Sequence, residues 1–202
     1  MQLTTVFFTV LYAGSTLAAP SLKVSRQLTL AQVLGLANDD LLAILGTANS
    51  APACLSRFAQ GGQYLDQVEG CIEDVTDGLE QFEDEFESQL AGVVLGLLNP
   101  DTASEVAGLL DTTNTLVETV VDDIQSGVNN NVLGLYPELR PILVDELNDM
   151  VADLGPVLTM ATTLVALNPL LPPSELNAIV QEITTLTNGL TTGIDAILGT
   201  IG

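Results

Sequence analysis

The sequence has no histidine and no tryptophan, and only four of its 202 residues are lysine or arginine. Without histidine, the usual general base and the Ser-His and Cys-His nucleophile systems are missing. The 26 acidic residues give a net charge of −22, and a chain this negative repels both nucleic acid and anionic membrane surfaces. These absences predict a protein that is not an enzyme and does not bind nucleic acid.

The sequence also has no glycine-rich phosphate loop and no recognisable metal or cofactor motif. Its adjacent carboxylates, such as Glu83-Asp84-Glu85, are typical of solvated helix faces. The acidic run Glu80–Glu87 lacks the 12-residue calcium loop with its central glycine, so at most weak, delocalised cation binding is expected there. We therefore predict no metal site and no cofactor.

Residues 1–19 are typical of a secretory signal peptide. Val6–Leu11 is an apolar core, and the small residues 15–19 precede Pro20. The alternative is a buried N-terminal helix. Residues 20–27 are predicted to be a flexible arm, and residues 28–202 a single domain that is secreted or held in a cell wall or matrix. No later segment is expected to span a membrane.

The only two cysteines, Cys54 and Cys71, lie almost symmetrically about the helix breaker Gly61-Gly62. A helical hairpin that turns at these glycines would bring the two cysteines together. In a secreted chain this favours a disulfide, although two free thiols or a metal site are the alternatives.

The stretch Gln63–Leu98 is predicted to be one long helix, with a bend near Gly78 or a break near Gly92. Its apolar residues recur alternately three and four positions apart, which is typical of a narrow buried seam. The seam consists of Leu65, Val68, Ile72, Val75, Leu79, Phe82 and Phe86. The remaining faces are almost purely acidic, and we expect them to be solvated.

Before this helix, Leu28–Gly46 predicts two short helices, the second capped within Asn38-Asp39-Asp40. After it, Asn99-Pro100 is a firm stop. The motif Thr102-x-x-Glu105 then predicts a capping box that opens a second long helix, which ends around Gly127.

A third long helix is predicted from Pro141 to Leu167, with a kink at Gly155-Pro156 and a stop at Asn168-Pro169. A fourth runs from Ser174 to about Leu198. The second and fourth helices share their apolar positions at an offset of 70 residues, and each follows a Leu-Asn-Pro sequence. This pattern indicates either a duplicated hairpin or two helices that share a period by chance.

Four long helices with short connections predict an all-α antiparallel bundle of two helical hairpins, with the short N-terminal helices covering one end or side. The segments Val93–Leu98 and Val157–Leu171 carry more apolar residues than a seam requires, and many core positions are slim. Such positions can leave a ligand-binding lumen between the helices, although the residues alone favour an ordinary packed core. The predicted lining residues are Phe82, Phe86, Val93, Val94, Leu97, Val157, Leu158 and Leu164.

A signal peptide, a lysine-poor chain, Thr/Ala/Leu-rich amphipathic helices and paired hairpins over roughly Leu65–Leu198 resemble the fungal hydrophobic surface-binding proteins and the related cell-wall galactomannoproteins. The resemblance implies a helical bundle that adsorbs to hydrophobic surfaces or holds a fatty acid or another lipid between its helices. This chain differs in its cysteine pair, its additional N-terminal helices and its acidity.

Two functions follow as hypotheses. The first is a secreted binding protein for a hydrophobic small molecule or surface. The second is a structural or interaction protein of an extracellular matrix or cell wall, which acts through its acidic surface. In either case repulsion among the carboxylates predicts that mild acidification stabilises the bundle.

Overall fold

The computed structural model describes residues 28–49, 65–93, 95, 98–129, 137, 139–169 and 171–201. These residues form seven α-helices and no β-strand. The helices are α1 (Leu30–Ala48), α2 (Leu65–Leu90), α3 (Pro100–Asn129), α4 (Leu139–Asp153), α5 (Gly155–Leu167), α6 (Pro173–Asn188) and α7 (Ile194–Ile201). A π-helical turn, Gly189–Gly193, joins α6 to α7. The predicted all-α bundle is confirmed.

The helices form five rods because α4 and α5 make one bent rod, and α6, the π-helical turn and α7 make another. Around the bundle, α1 packs on α2, α2 on α4, the α4–α5 rod on the α6–α7 rod, α6 on α3, and α3 back on α1. This order closes a ring of rods around a shared core.

The N-terminal segment forms one continuous helix, so the prediction of two short helices within Leu28–Gly46 is wrong. Helix α1 packs along both α2 and α3. Its N-terminus is closed by a capping box in which the Gln32 N–H donates to Thr29 Oγ1 at 3.3 Å and the Thr29 N–H donates to Gln32 Oε1 at 3.0 Å. Asn38 lies inside the helix, where its side chain bonds to α3.

Helix α3 begins at Pro100, directly after Asn99. The prediction that Thr102 is its N-cap is wrong. The Asn99 side chain caps the helix because its Oδ1 accepts from the Thr102 N–H at 2.8 Å and from Thr102 Oγ1 at 3.0 Å. Pro100 occupies the first helical position, where its missing N–H has no cost. The Asn-Pro pair therefore starts this helix.

Helix α2 ends at Leu90, eight residues before the predicted end at Leu98. The Gly92 N–H donates to the Gln89 carbonyl at 3.2 Å, and the Val93 N–H to the Leu90 carbonyl at 3.0 Å. These tighter bonds satisfy carbonyl groups of the last turn, so the predicted break near Gly92 is confirmed.

The α4–α5 rod breaks at Leu154, as the Gly155-Pro156 pair predicts. Asn168 stops α5 and connects it to the start of α3. Its Nδ2 donates to the Leu164 carbonyl at 2.8 Å, while its Oδ1 accepts from the Leu98 N–H at 2.6 Å. The two Asn-Pro pairs thus have different roles, because Asn99 caps a helix and Asn168 joins two segments. A duplicated hairpin stays a prediction.

The core is almost entirely aliphatic. The predicted seam of α2 is buried where its side chains are described, at Val75, Leu79, Phe82 and Phe86. In α6, Val180 is 42% exposed. The central side chains exposed at 1% or less include Leu34, Leu41, Leu79, Leu109, Leu110, Leu116, Leu147, Met150, Leu154, Val157 and Leu164.

Among the described residues, Arg140–Leu167 is long and apolar enough to cross a membrane by length and composition. This differs from the expectation that no segment after residues 1–19 is long and apolar enough to span a membrane. In the bundle, the apolar side of this rod contributes Leu147, Leu154 and Leu164 to the core. A buried core helix has the same composition, and the absence of a membrane segment stays a prediction.

The predicted signal peptide (residues 1–19), the arm (residues 20–27) and Cys54 lie outside the described residues. Cys71 lies within α2, but its side chain is also outside what the structure describes. The Cys54–Cys71 disulfide stays a prediction.

Candidate functional site

The predicted lining residues converge on one continuous core. Phe82 and Phe86 of α2, at 3% and 2% exposure, belong to the same buried cluster as Val157 and Leu164 of α5. Leu158 and Val93 are half-buried and pack against this cluster. Val94 and Leu97 lie outside the described residues.

The two phenylalanines are stacked, with ring centroids 5.5 Å apart and ring planes inclined by 11°. Their spacing of four residues places them on one face of α2, one turn apart. The pair forms the aromatic part of an otherwise aliphatic interior. The arrangement offers apolar contacts, and among the described residues no cation is buried beside it.

An acidic cleft, which the sequence analysis did not foresee, lies between α2 and α4. It is a half-open cavity of about 340 Å³. Its lining residues are Thr76, Asp77, Glu80, Glu83, Glu146, Asp149 and Asp153. Six carboxyl groups therefore face one another across two packed helices, and no basic side chain lies among them.

Asp153 is the most deeply buried of these carboxyl groups, with only 8% of its surface exposed. Burial, the charge of Glu83 and a hydrogen bond with Glu83 raise its pKa to about 6. Burial also raises the pKa of Glu146, although a hydrogen bond from Thr76 Oγ1 partly opposes the shift. The cleft therefore holds protons at a pH where isolated carboxyl groups would have lost them.

A smaller groove of about 170 Å³ lies on the other side of α2, between α1 and α2. Its lining includes Asp40, Gly78, Phe82 and Glu85. Burial and the charges of Glu85 and Asp39 raise the pKa of Asp40. Gly78 permits the close approach of the helices here, because a Cβ at that position would lie 3.2 Å from Ile44 Cγ1.

Between α3 and α6, Asn114 is 6% exposed and its Nδ2 donates to Glu182 Oε2 at 2.7 Å. Asn114 Oδ1 is buried without a hydrogen-bond partner. This amide–carboxylate contact forms with an ionised glutamate and needs no additional proton.

The acidic faces of the long helix were expected to be solvated, and Asp153, which is buried, was not singled out from the sequence. A signal was present in the spacing. Glu80 and Glu83 lie one position beyond the seam residues Leu79 and Phe82 of α2. On α4, Glu146, Asp149 and Asp153 recur at helical spacing beside Leu147 and Met150. Two matching acidic rows, each bordering a seam, indicate an acidic helix–helix contact.

The described residues contain no group of three or more His, Cys, Asp or Glu side chains arranged to hold a metal ion. In this cleft the carboxyl groups can share and exchange protons.

The chain matches no family model, and no curated protein sequence matches it. Among solved structures, it is similar to the crystal structure of Afmp4p in complex with palmitic acid. The TM-score is 0.51, and the match covers 84% of this chain and 99% of that one at 9% sequence identity. The likeness shows a shared fold and agrees with the predicted resemblance to fungal cell-wall proteins at the level of the fold.

Proposed function

We propose that this protein is a secreted, non-enzymatic binding protein that holds a long-chain fatty acid or a similar lipid between its helices. The observation that carries the proposal is the closed ring of rods around a continuous aliphatic core that contains the stacked Phe82–Phe86 pair. The shared fold with Afmp4p, a protein crystallised with palmitic acid, supports the same function.

The lipid site is proposed between α2 and α5, where Phe82 and Phe86 belong to the same buried cluster as Val157 and Leu164. These side chains are packed in the structure, so an acyl chain would enter by separating rods. Grooves border α2 on its α1 side and on its α4 side, which favours separation of this rod from its neighbours.

In this proposal the protein holds the ligand through apolar contacts with the acyl chain of the ligand. Arg140 is the single basic residue in the part of the chain that the structure describes, and it lies at the exposed start of α4. At neutral pH the net charge of −22 repels a fatty-acid carboxylate. We therefore expect a neutral C16 alcohol to bind at least as tightly as the C16 acid at pH 7.5.

The test is a titration of the delipidated protein with a fluorescent fatty acid, followed by displacement with palmitic acid and with hexadecanol. Saturable binding of one probe, displaced by both, supports the proposal. A signal that does not saturate, or that neither competitor reduces, overturns it.

A matched pair of variants on α5 tests where the acyl chain of the ligand binds. Ala161 is fully buried, whereas Ala166 on the same helix is exposed. Ala161→Phe should fill interior space and weaken binding at least tenfold, whereas Ala166→Phe should leave affinity unchanged. Ala161→Leu is the milder variant, since overpacking a core costs about 1–3 kcal/mol. Circular dichroism confirms that each variant is folded.

Secretion is part of the proposal and rests on residues 1–19. Expression of the full chain in a eukaryotic secretory host should release a protein whose N-terminus lies at residue 19 or 20, measured by intact mass. Retention of the full-length chain inside the cell would count against it.

An interaction protein that acts through its acidic surface is the second candidate, and the net charge of −22 favours it. Association with a basic partner such as polylysine would then weaken steeply between low and high salt. Association that is independent of salt would exclude this function without affecting the lipid proposal.

A further inference from the structure

Helix α2 meets carboxyl groups on both sides along which it packs. On the α4 side lies the acidic cleft, where Glu83 faces Asp153. On the α1 side, Glu85 faces Asp40 in the smaller groove. The sequence of α2 contains no lysine or arginine, so neither contact has a cation to compensate it.

Glu83 and Asp153 line the same cleft, and, besides burial, the charge of Glu83 and a hydrogen bond with it contribute to the raised pKa of Asp153. Two ionised carboxylates have only acceptor atoms, so this bond exists only while one of them carries a proton. Asp153 has 8% of its residue surface exposed and lines a half-open cleft, so an ionised pair repels in a partly desolvated contact.

The other charged groups around this pair also fail to compensate it. Arg140 lies 13 positions before Asp153 on the same rod, about 20 Å away at 1.5 Å per residue. That distance exceeds the Debye length of about 8 Å at physiological salt. Helix α5 has no ionisable side chain, and α7 carries only the exposed Asp195. The remaining facing groups are Asp39 and Asp40 on α1, Glu73, Asp77, Glu80 and Glu85 on α2, and Glu146 and Asp149 on α4.

We propose that a proton shared between Glu83 and Asp153 acts as a latch that holds α2, one wall of the bundle, against α4. Helix α2 loosens when both carboxyl groups are ionised. The latch is a property of the fold and acts without any ligand. Since the raised pKa of Asp153 lies at about 6, the change falls between pH 5 and pH 7.5. The Asp40–Glu85 contact acts in the same direction, because burial and Glu85 raise the pKa of Asp40.

Loosening of α2 has a direct consequence for the core because Phe82 and Phe86 lie on its buried face. Movement of this wall exposes the aromatic pair and opens a path to the aliphatic interior. Use of that path by an acyl chain rests on the proposed function, whereas the movement itself does not. A lipid would then load or leave near neutral pH and be retained in acid.

The test is hydrogen exchange of the full, ligand-free chain at pH 5 and pH 7.5, measured by mass spectrometry and normalised to the intrinsic exchange rate at each pH. Peptides from α2 are compared with peptides from α3. We expect the protection of α2 to fall on the order of tenfold more than that of α3 when the pH rises. Equal changes in the two helices would overturn the latch.

Asp153→Asn tests the mechanism because its amide donates to ionised Glu83 as the protonated acid does. In this variant α2 should keep at pH 7.5 the protection that the wild type shows at pH 5. The matched control is Asp145→Asn, which removes one exposed carboxyl group from the same helix, outside the cleft. If the control restores protection equally, total charge explains the effect and the specific latch is excluded.

Lipid release is measured separately from the movement of α2. Pulse release of a bound fluorescent fatty acid is measured at both pH values only after the exchange experiment. A latch without lipid binding leaves the exchange result standing and removes the proposed function. Lipid binding with a uniform exchange response removes the latch and leaves the function.

Discussion

Helices α2 and α3 both pack against α1, and the two contacts use different polar chemistry. Toward α3, Asn38 Oδ1 of α1 accepts from Thr112 Oγ1 at 2.7 Å, which pairs a neutral donor with a neutral acceptor. Toward α2, Asp40 of α1 faces Glu85, and two ionised carboxylates can only repel. The same rod therefore has one contact that is insensitive to pH and one that is sensitive.

The far sides of α2 and α3 repeat this difference. Helix α3 reaches α6 through the Asn114 amide, which donates to ionised Glu182. Helix α2 reaches α4 through the Glu83–Asp153 pair, which needs a proton. Apolar burial stabilises the packing of both helices. The two helices therefore differ in what their polar contacts add to or subtract from the free energy of unfolding.

The largest effect on stability is expected in the apolar core, to which α2 and α3 contribute in the same way. Leu79 of α2 and Leu109 of α3 are both fully buried, so each Leu→Ala change should reduce the free energy of unfolding by about 2–5 kcal/mol at pH 5. Urea denaturation of the two variants measures this, with Leu36→Ala, at a side chain 43% exposed, as the control. A cost below about 1 kcal/mol for Leu79→Ala alone would show that α2 does not belong to the core at pH 5.

The next effect tests how closely α3 is held. A Cβ at Gly189, in the π-helical turn, would lie 3.1 Å from Val117 Cγ1 of α3, so Gly189→Leu should destabilise the fold by about 1–3 kcal/mol. Gly108→Leu is the control, because a Cβ there meets no atom within 4 Å and the helix gains propensity. Thermal unfolding followed by circular dichroism compares the two variants. Equal melting temperatures would contradict a close contact at Gly189.

The third effect should appear only on the α2 side. Asp153 has a raised pKa of about 6 in the folded chain, against about 3.9 when unfolded, so the folded state binds more protons between these values. Stability should therefore rise as the pH falls from 7 to 4. Asp153→Asn should stabilise by about 1–2 kcal/mol at pH 7, since the half-open cleft reduces the full electrostatic effect, and by almost nothing at pH 4.

Chemical denaturation of wild type, Asp153→Asn and Asp145→Asn at pH 4, 5.5 and 7 measures this prediction. The exposed Asp145 should give a change of only a few tenths of a kcal/mol at each pH. A wild-type stability that falls steadily from pH 7 to pH 5 would reverse the predicted sign and rule out the carboxyl pair as the cause.

The same contrast explains what the sequence could predict. Helix periods and Asn-Pro or Gly-Pro breaks are local signals, so the seam of α2, the break near Gly92 and the break before Pro156 were predicted correctly, whereas the predicted end of α2 at Leu98 was wrong. The N-cap of α3 was not predicted correctly, because Asn99 and Thr102 both suit an N-cap and only the backbone geometry selects Asn99.

Features that depend on which helices meet were beyond the sequence analysis. Short connections suggested that consecutive helices are neighbours, whereas α1 packs along both α2 and α3. The burial of Asp153 follows from that arrangement, because an acidic row on one helix is solvated unless another helix covers it. The burial of Phe82, Phe86, Val157 and Leu164 was easier to predict, since it follows from the periodicity of their own helices.

The smallest expected effect lies on α1 itself, which carries both kinds of contact. Asn38→Ala removes the acceptor for Thr112 but leaves Thr112 bonded to the Gly108 carbonyl at 3.1 Å, so it should cost only about 0.5–1 kcal/mol at pH 5 and pH 7 alike. Asp40→Asn should instead stabilise by a few tenths of a kcal/mol at pH 7, because it removes the repulsion from Glu85, and the gain should vanish in acid. Melting temperatures of the two variants at both pH values compare the signs. If Asp40→Asn destabilises at pH 7 as Asn38→Ala does, the α1–α2 contact is an ordinary polar contact, and the difference between the two sides of α1 disappears.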